Sequence, residues 1–303
     1  MPSTRRDTLR LAGAGAVAAL AGCSSVLGGD SSGLTTDDGA DPSPARRWLY
    51  DPTDYEDQTS MTATFQSPAR LTAASDHLAG ELSPEVPGLR FDATLPPDET
   101  EWSVLAASPL FEGPSLFACG GRFDAETAAA NADVYTNTDR DPTGEESVGD
   151  FSVRHYGDDR HGASRAGTVV SASAVDADDF RSLLRTDETL VDSVAGSESL
   201  VARTGFDEAA TFALTRNADA GEWTGWGVGY DIGGAETRVT RTELRTDRDG
   251  DAVRALAEAV DGLTDIGSGE QDNLAWAEGR APTDALAFDG RLFELMELPF
   301  GEG

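Results

Sequence analysis

Lysine is missing altogether from the 303-residue chain, and all 23 of its basic residues are arginine. Against them stand 55 acidic residues, for a formal charge of −32. A nucleic-acid interface needs a basic footprint, so that balance excludes one over most of the surface. It equally disfavours adhesion of the folded body to anionic lipid. Cysteine is scarce, only Cys23 and Cys119. No Asn-x-Ser/Thr acceptor occurs, which closes that route to N-glycosylation. Gly-x-Ser-x-Gly, a phosphate loop, His-Glu-x-x-His and Cys-x-x-Cys are absent too, so the sequence carries none of the common hydrolase, nucleotide or zinc signatures. The longest uncharged apolar stretch, residues 11–21, is too short for about 30 Å of hydrocarbon, which takes roughly 20 residues.

That short stretch belongs to the most specific segment of the chain. Arg5 and Arg6 stand just before it, and Leu20-Ala21-Gly22-Cys23 closes it. A positive start, a short apolar middle and a small-residue exit are the parts of a secretory signal. The adjacent arginines resemble the twin-arginine export type. Leu20-Ala21-Gly22-Cys23 resembles a lipobox, in which cleavage precedes the cysteine and its thiol carries the lipid. Stable anchoring then takes two acyl chains or an equivalent. Residues 1–22 hold three arginines and one aspartate, so the mature part carries 20 basic and 54 acidic residues, a charge of −34. With Cys23 occupied, Cys119 has no partner for an internal disulfide, and its place in Leu116-Phe117-Ala118-Cys119 reads as a small core residue.

The expected organisation is a signal peptide with lipobox over 1–22, a flexible acidic tether over 23–47, and two α+β halves over 48–195 and 196–303. Strands are expected at 60–66, 102–109, 115–123, 151–156, 166–173, 210–215, 223–232 and 237–246, with short closing strands at 274–276 and 285–288. Ser67-Pro68 opens a helix with Leu71, Ala74, Leu78 and Leu82 on one face, stopped by Pro84. Asp124 opens another to residue 134. Phe180, Leu183, Leu184, Leu190, Val191 and Val194 form one amphipathic stripe. A short helical piece covers 199–204, and Asp251 is expected to cap a last helix. Strands in pairs between single helices imply an α+β fold: antiparallel sheets with helices on one face, the repeated unit suggesting two related halves.

Three patterns bear on chemistry. His155 and His161 bracket Tyr156-Gly157-Asp158-Asp159-Arg160; a six-residue spacing matches no common metal pattern, and the stretch reads as a solvated loop with no metal assigned. His77 stands alone. Asp247-Arg248-Asp249-Gly250-Asp251 lacks the third ligand and the distant glutamate of a calcium loop. Residues 223–232, Trp-Thr-Gly-Trp-Gly-Val-Gly-Tyr-Asp-Ile, put Trp226, Val228, Tyr230 and Ile232 on one face of a strand and Gly225, Gly227 and Gly229 on the other. Glycines so placed admit a close backbone or ligand; a tightly packed helix or a bulged, strongly bent strand is the expectation, with Trp223, Trp226 and Tyr230 as ligand-binding candidates.

With its lysine-free acidic composition, the chain resembles the uncharacterised lipoproteins that halophilic archaea export by the twin-arginine route. The resemblance rests on residues 3–23, with Trp48-Leu49-Tyr50-Asp51-Pro52 as a weaker touch. It implies a cell-surface, lipid-anchored location on the extracytoplasmic face and assigns no activity or cofactor. The expected function is a non-catalytic binding or accessory module. The alternative is a solute-binding protein of a transporter, which would call for two lobes of parallel strands around a cleft.

Overall fold

The computed structural model describes residues 43–51, 58–78, 95–96, 98–108, 113–135, 141–186, 189–205, 209–216, 222–244, 249–258 and 263–285. Arg5, Arg6 and Cys23 lie outside them, as does the strand expected at 285–288 apart from Ala285, which ends a 3-10 turn.

A nine-stranded sheet dominates, in the order β4-β5-β6-β7-β3-β2-β1-β8-β9. Its strands are β1 (Ser60–Gln66), β2 (Thr100–Ala107), β3 (Ser115–Gly121), β4 (Gly144–Val148), β5 (Phe151–His155), β6 (Arg160–Arg165), β7 (Thr168–Ser173), β8 (Ala209–Arg216) and β9 (Trp223–Ile232). A second sheet holds β10 (Glu236–Leu244), β12 (Leu274–Pro282) and β11 (Thr264–Gln271) in that order. Among the described residues every paired strand is antiparallel. β1 lies between β2 and β8, so strands from both sides of residue 195 share one sheet.

Register decides which side chains share a face. Ala63 is opposite Ala106 on one side and Phe212 on the other. Following those partners outward puts Met61, Phe65, Val104, Leu116, Ala118, Val170, Ala163 and Val153 on one side of the sheet, all in the main core. Three helices cover that face: α3 (Ala177–Arg185), α4 (Leu190–Ser193) and α5 (Ser197–Thr204). They supply Phe180, Leu184, Leu190, Leu200 and Val201. The stripe expected as one helix is broken at Thr186, whose backbone closes α3. A turn of 3-10 helix at Pro44–Trp48 completes the cover, with Ala45 and Trp48 buried and the Arg47 guanidinium donating to the Leu184 carbonyl at 2.9 Å. Folded structure therefore reaches back into the stretch expected as tether.

The opposite face carries its own helix. Cys119 and Val169, cross-strand partners on β3 and β7, pack with Phe123, Ala128 and Ala132 of α2 (Ala125–Tyr135) and the segment before it. Helices thus stand on both faces, not on one as expected. A hydrophobic strand buried on both sides must be covered on both sides, and the near-complete burial of β1 and β8 shows this demand. Cys119 sits in that cluster as a fully buried small side chain.

The remaining helices are α1 (Pro68–Ala73) and α6 (Gly250–Glu258). α1 stops well short of Pro84: Ala74 caps it and a 3-10 turn follows at Ser75–His77. The Ser67 hydroxyl donates to the Glu101 carbonyl at 2.8 Å and does not cap α1. Asp249, not Asp251, caps α6, its carboxylate accepting from the Ala252 N–H at 2.9 Å. No helix among the described residues is long and apolar enough to cross a membrane.

Candidate functional site

Two strands absent from the sequence expectation, β4 and β6, join β5 in building a polar cluster. β5 and β6 form a hairpin whose register sets His155 directly opposite His161. Gly157, with φ at +103°, opens the turn between them. Glu146 on β4 is partnered with Val153 on β5, two residues along the strand from His155. By alternation Glu146, His155 and His161 all point to the core face, at the edge where that face meets α3.

Their polar atoms make one continuous chain. The Arg181 Nε of α3 donates to Glu146 Oε1 at 2.6 Å. The same oxygen lies 2.9 Å from His155 Nε2. His155 Nδ1 lies 2.8 Å from His161 Nδ1, and His161 Nε2 lies 2.8 Å from the Val175 carbonyl, just before α3. Arg181 Nη1 also donates to Asp178 at 2.6 Å. The His161 ring stacks on Phe180 of α3, centroids 5.1 Å apart and planes at 27°. Exposure falls along the chain, from 32% for the Glu146 side chain through 13% for His155 to 0% for His161.

Hydrogen-bond chemistry fixes the protons. The Val175 carbonyl only accepts, so His161 Nε2 carries a hydrogen. The hydrogen bond from Arg181, with a smaller contribution from His155, holds the Glu146 carboxyl below the usual carboxylate range. As a carboxylate it too only accepts, so His155 Nε2 carries a hydrogen. The Nδ1···Nδ1 contact needs one hydrogen, since two would collide and none would set lone pair against lone pair. Three hydrogens on two imidazoles is one more than two neutral rings hold. The cluster is thus built for a single positive charge, shared between the rings and faced by Glu146. Burial, foremost, keeps the His161 imidazole more easily deprotonated than usual.

All four ring nitrogens are engaged, so neither imidazole offers a free lone pair to a substrate as this cluster stands. Asp158 and Asp159 are exposed in the turn and do not join it. Among the described residues no group of three or more His, Cys, Asp or Glu side chains converges to hold a metal ion. His77 is exposed in the 3-10 turn after α1. Asp247 and Arg248 lie outside the described residues.

Solved structures similar to this chain include crystal forms of TP0453. Crystal form I aligns over 82% of this chain and 96% of that one, at 8% identity and a TM-score of 0.43. Crystal form III gives 82% and 97%, at 8% and 0.42. No protein family and no curated protein matches the chain.

The aromatic strand β9 has different surroundings. A Cβ on Gly227 would overlap the Thr204 hydroxyl, and one on Gly229 would overlap the Thr204 carbonyl. The last residue of α5 therefore lies against the glycine face. Trp223, on that same face, is buried in the main core. Alternation turns Trp226 and Tyr230 the other way, toward Val239 and Ala281 of the second sheet. The Arg241 guanidinium covers the Trp226 ring at 4.8 Å and donates to Glu243 at 2.9 Å. Tyr230 is buried, which pushes its hydroxyl well above the ordinary value. The three candidates of this strand thus divide between two packed faces and do not line one cavity.

Proposed function

We propose that this chain is a lipid-anchored protein of the extracytoplasmic face of a cell membrane, exported by the twin-arginine route and acting there as a non-catalytic binding or accessory module. The observation that carries the reading is the order Arg5-Arg6, apolar residues 11–21, then Leu20-Ala21-Gly22-Cys23. Charge supports the setting. At −34 the mature chain repels itself, and molar salt shortens the screening length to about 3 Å and removes most of that repulsion. The antiparallel pairing supports a binding module over a solute-binding protein with two parallel-strand lobes.

Mass spectrometry of the protein recovered from membranes tests it. The expected mature terminus is Cys23 carrying lipid, with Cys23→Ala released from the membrane fraction. An unmodified terminus at any other residue overturns the anchor, and export of Arg5→Lys/Arg6→Lys at the wild-type level overturns the route.

A further inference from the structure

We propose that Glu146, His155 and His161 form a proton-operated latch that fastens α3 to the β4–β6 edge of the sheet, closed while the two imidazoles share one extra proton and opened when acid adds another. The chain of contacts joins two elements. One end is β4, the edge strand of the sheet, paired on one side only among the described residues. The other is α3 with the segment that leads into it, gripped at three points: Arg181 through Glu146, Phe180 through the His161 ring, and the Val175 carbonyl through His161 Nε2. Every link passes through a group whose proton is exchangeable in water.

The proton count makes the latch selective. Three hydrogens satisfy all three contacts. A fourth sets two N–H groups against each other across 2.8 Å, inside a face that excludes water from His161. Those rings must then separate, and His161 cannot move without disturbing both Phe180 and Val175. Loss of a hydrogen is milder, because His155 is part-exposed and its contact with Glu146 can admit water. Acid is therefore the strong opener and base the weak one.

The charged groups around the pair come from each packed element. β4 contributes Glu146, α3 contributes Arg181 and Asp178, and the β5–β6 turn contributes Asp159. Glu146 and Asp159 favour charge on the imidazoles and Arg181 opposes it. Asp179 on α3 has its carboxyl raised by burial, with Asp176 and Asp178 adding to it, and is the competing source of an acid response.

Hydrogen exchange of the full chain in molar salt, between pH 7 and pH 5, tests the latch. Protection is corrected for the intrinsic rate, and α6 serves as the internal reference. α3 is expected to lose about tenfold in protection relative to α6, the change that one extra proton bound by the open form produces over one pH unit. In His161→Phe, which keeps a ring on Phe180, and in His155→Gln at the part-exposed position, most of that loss disappears. Protection of α3 that follows α6 at every pH overturns the proposal. So does a loss that persists unchanged in His155→Gln, which would assign the response to Asp179 and its neighbours.

Discussion

β9 and the β4–β6 edge belong to one sheet, and both meet a helix on its core face, yet different physics holds each contact. At β9 the fit is steric. Gly227 and Gly229 leave room for the Thr204 backbone and hydroxyl, and no titratable group takes part in that contact. At the β4–β6 edge the fit is set by protons. His155 and His161 meet nitrogen to nitrogen, and the number of hydrogens decides whether the contact attracts or repels. One contact is fixed by covalent structure and the other is open to adjustment by the solvent.

Substitutions on either side challenge that contrast. The largest effect is expected from Phe180→Ala, which removes the ring that covers His161 and leaves a cavity in the main core; a loss of about 3–5 kcal/mol by denaturant unfolding follows. Gly229→Ala comes next. The added carbon meets backbone at Thr204, and the cost is expected near the top of the about 1–3 kcal/mol seen for overpacking, unchanged between pH 5 and 7. A pH-dependent cost would show that β9 is not purely steric. Asp176→Ala removes the carboxylate that accepts from the Asp178 and Asp179 N–H groups and should cost about 1 kcal/mol, felt as fraying of α3.

Glu146→Gln is expected to have the smallest effect on stability at neutral pH, about 1 kcal/mol or less, because its partners are partly solvated. Its signature is in pH dependence. The His161 imidazole ionises below its ordinary 6.5 in the folded chain, so the unfolded chain binds more protons between that folded value and 6.5. Stability from His161 is therefore present above pH 6.5 and withdrawn as pH falls through the window. Glu146 adds a second loss further down, below its ordinary 4.5, because its folded value is depressed. Titration of unfolding midpoints in Glu146→Gln should retain the first loss and lack the second.

The strands with alternating or continuous apolar residues were legible. β1 and β9 run over the residues that their patterns predict, and the glycine face of β9 meets a helix. β4, β6 and β11 were not legible. Gly-Glu-Glu-Ser-Val, Arg-His-Gly-Ala-Ser-Arg and Thr-Asp-Ile-Gly-Ser-Gly-Glu-Gln carry small or charged residues where a strand signal needs branched apolar ones. Their strand state comes from ladders to β5, β7 and β12, which sequence spacing does not display. With β4 and β6 missed, His155 and His161 read as loop residues and Glu146 as background acid. A signal existed in Gly157-Asp158-Asp159, a compact turn between two runs that places residues six apart opposite each other. Helices on both faces were equally hidden, since α2 is a run of small residues whose pattern does not say which side it takes.

Everything proposed for the β4–β6 edge turns on the proton count at the imidazole pair, and nitrogen NMR of the histidine side chains at pH 7 measures it. The expected pattern has hydrogen on Nε2 of both rings, with a single hydrogen between the two Nδ1 atoms that couples to both residues and disappears in His155→Gln. Two neutral rings with a bare Nε2 on His155, or an Nδ1 hydrogen on each ring, would contradict it.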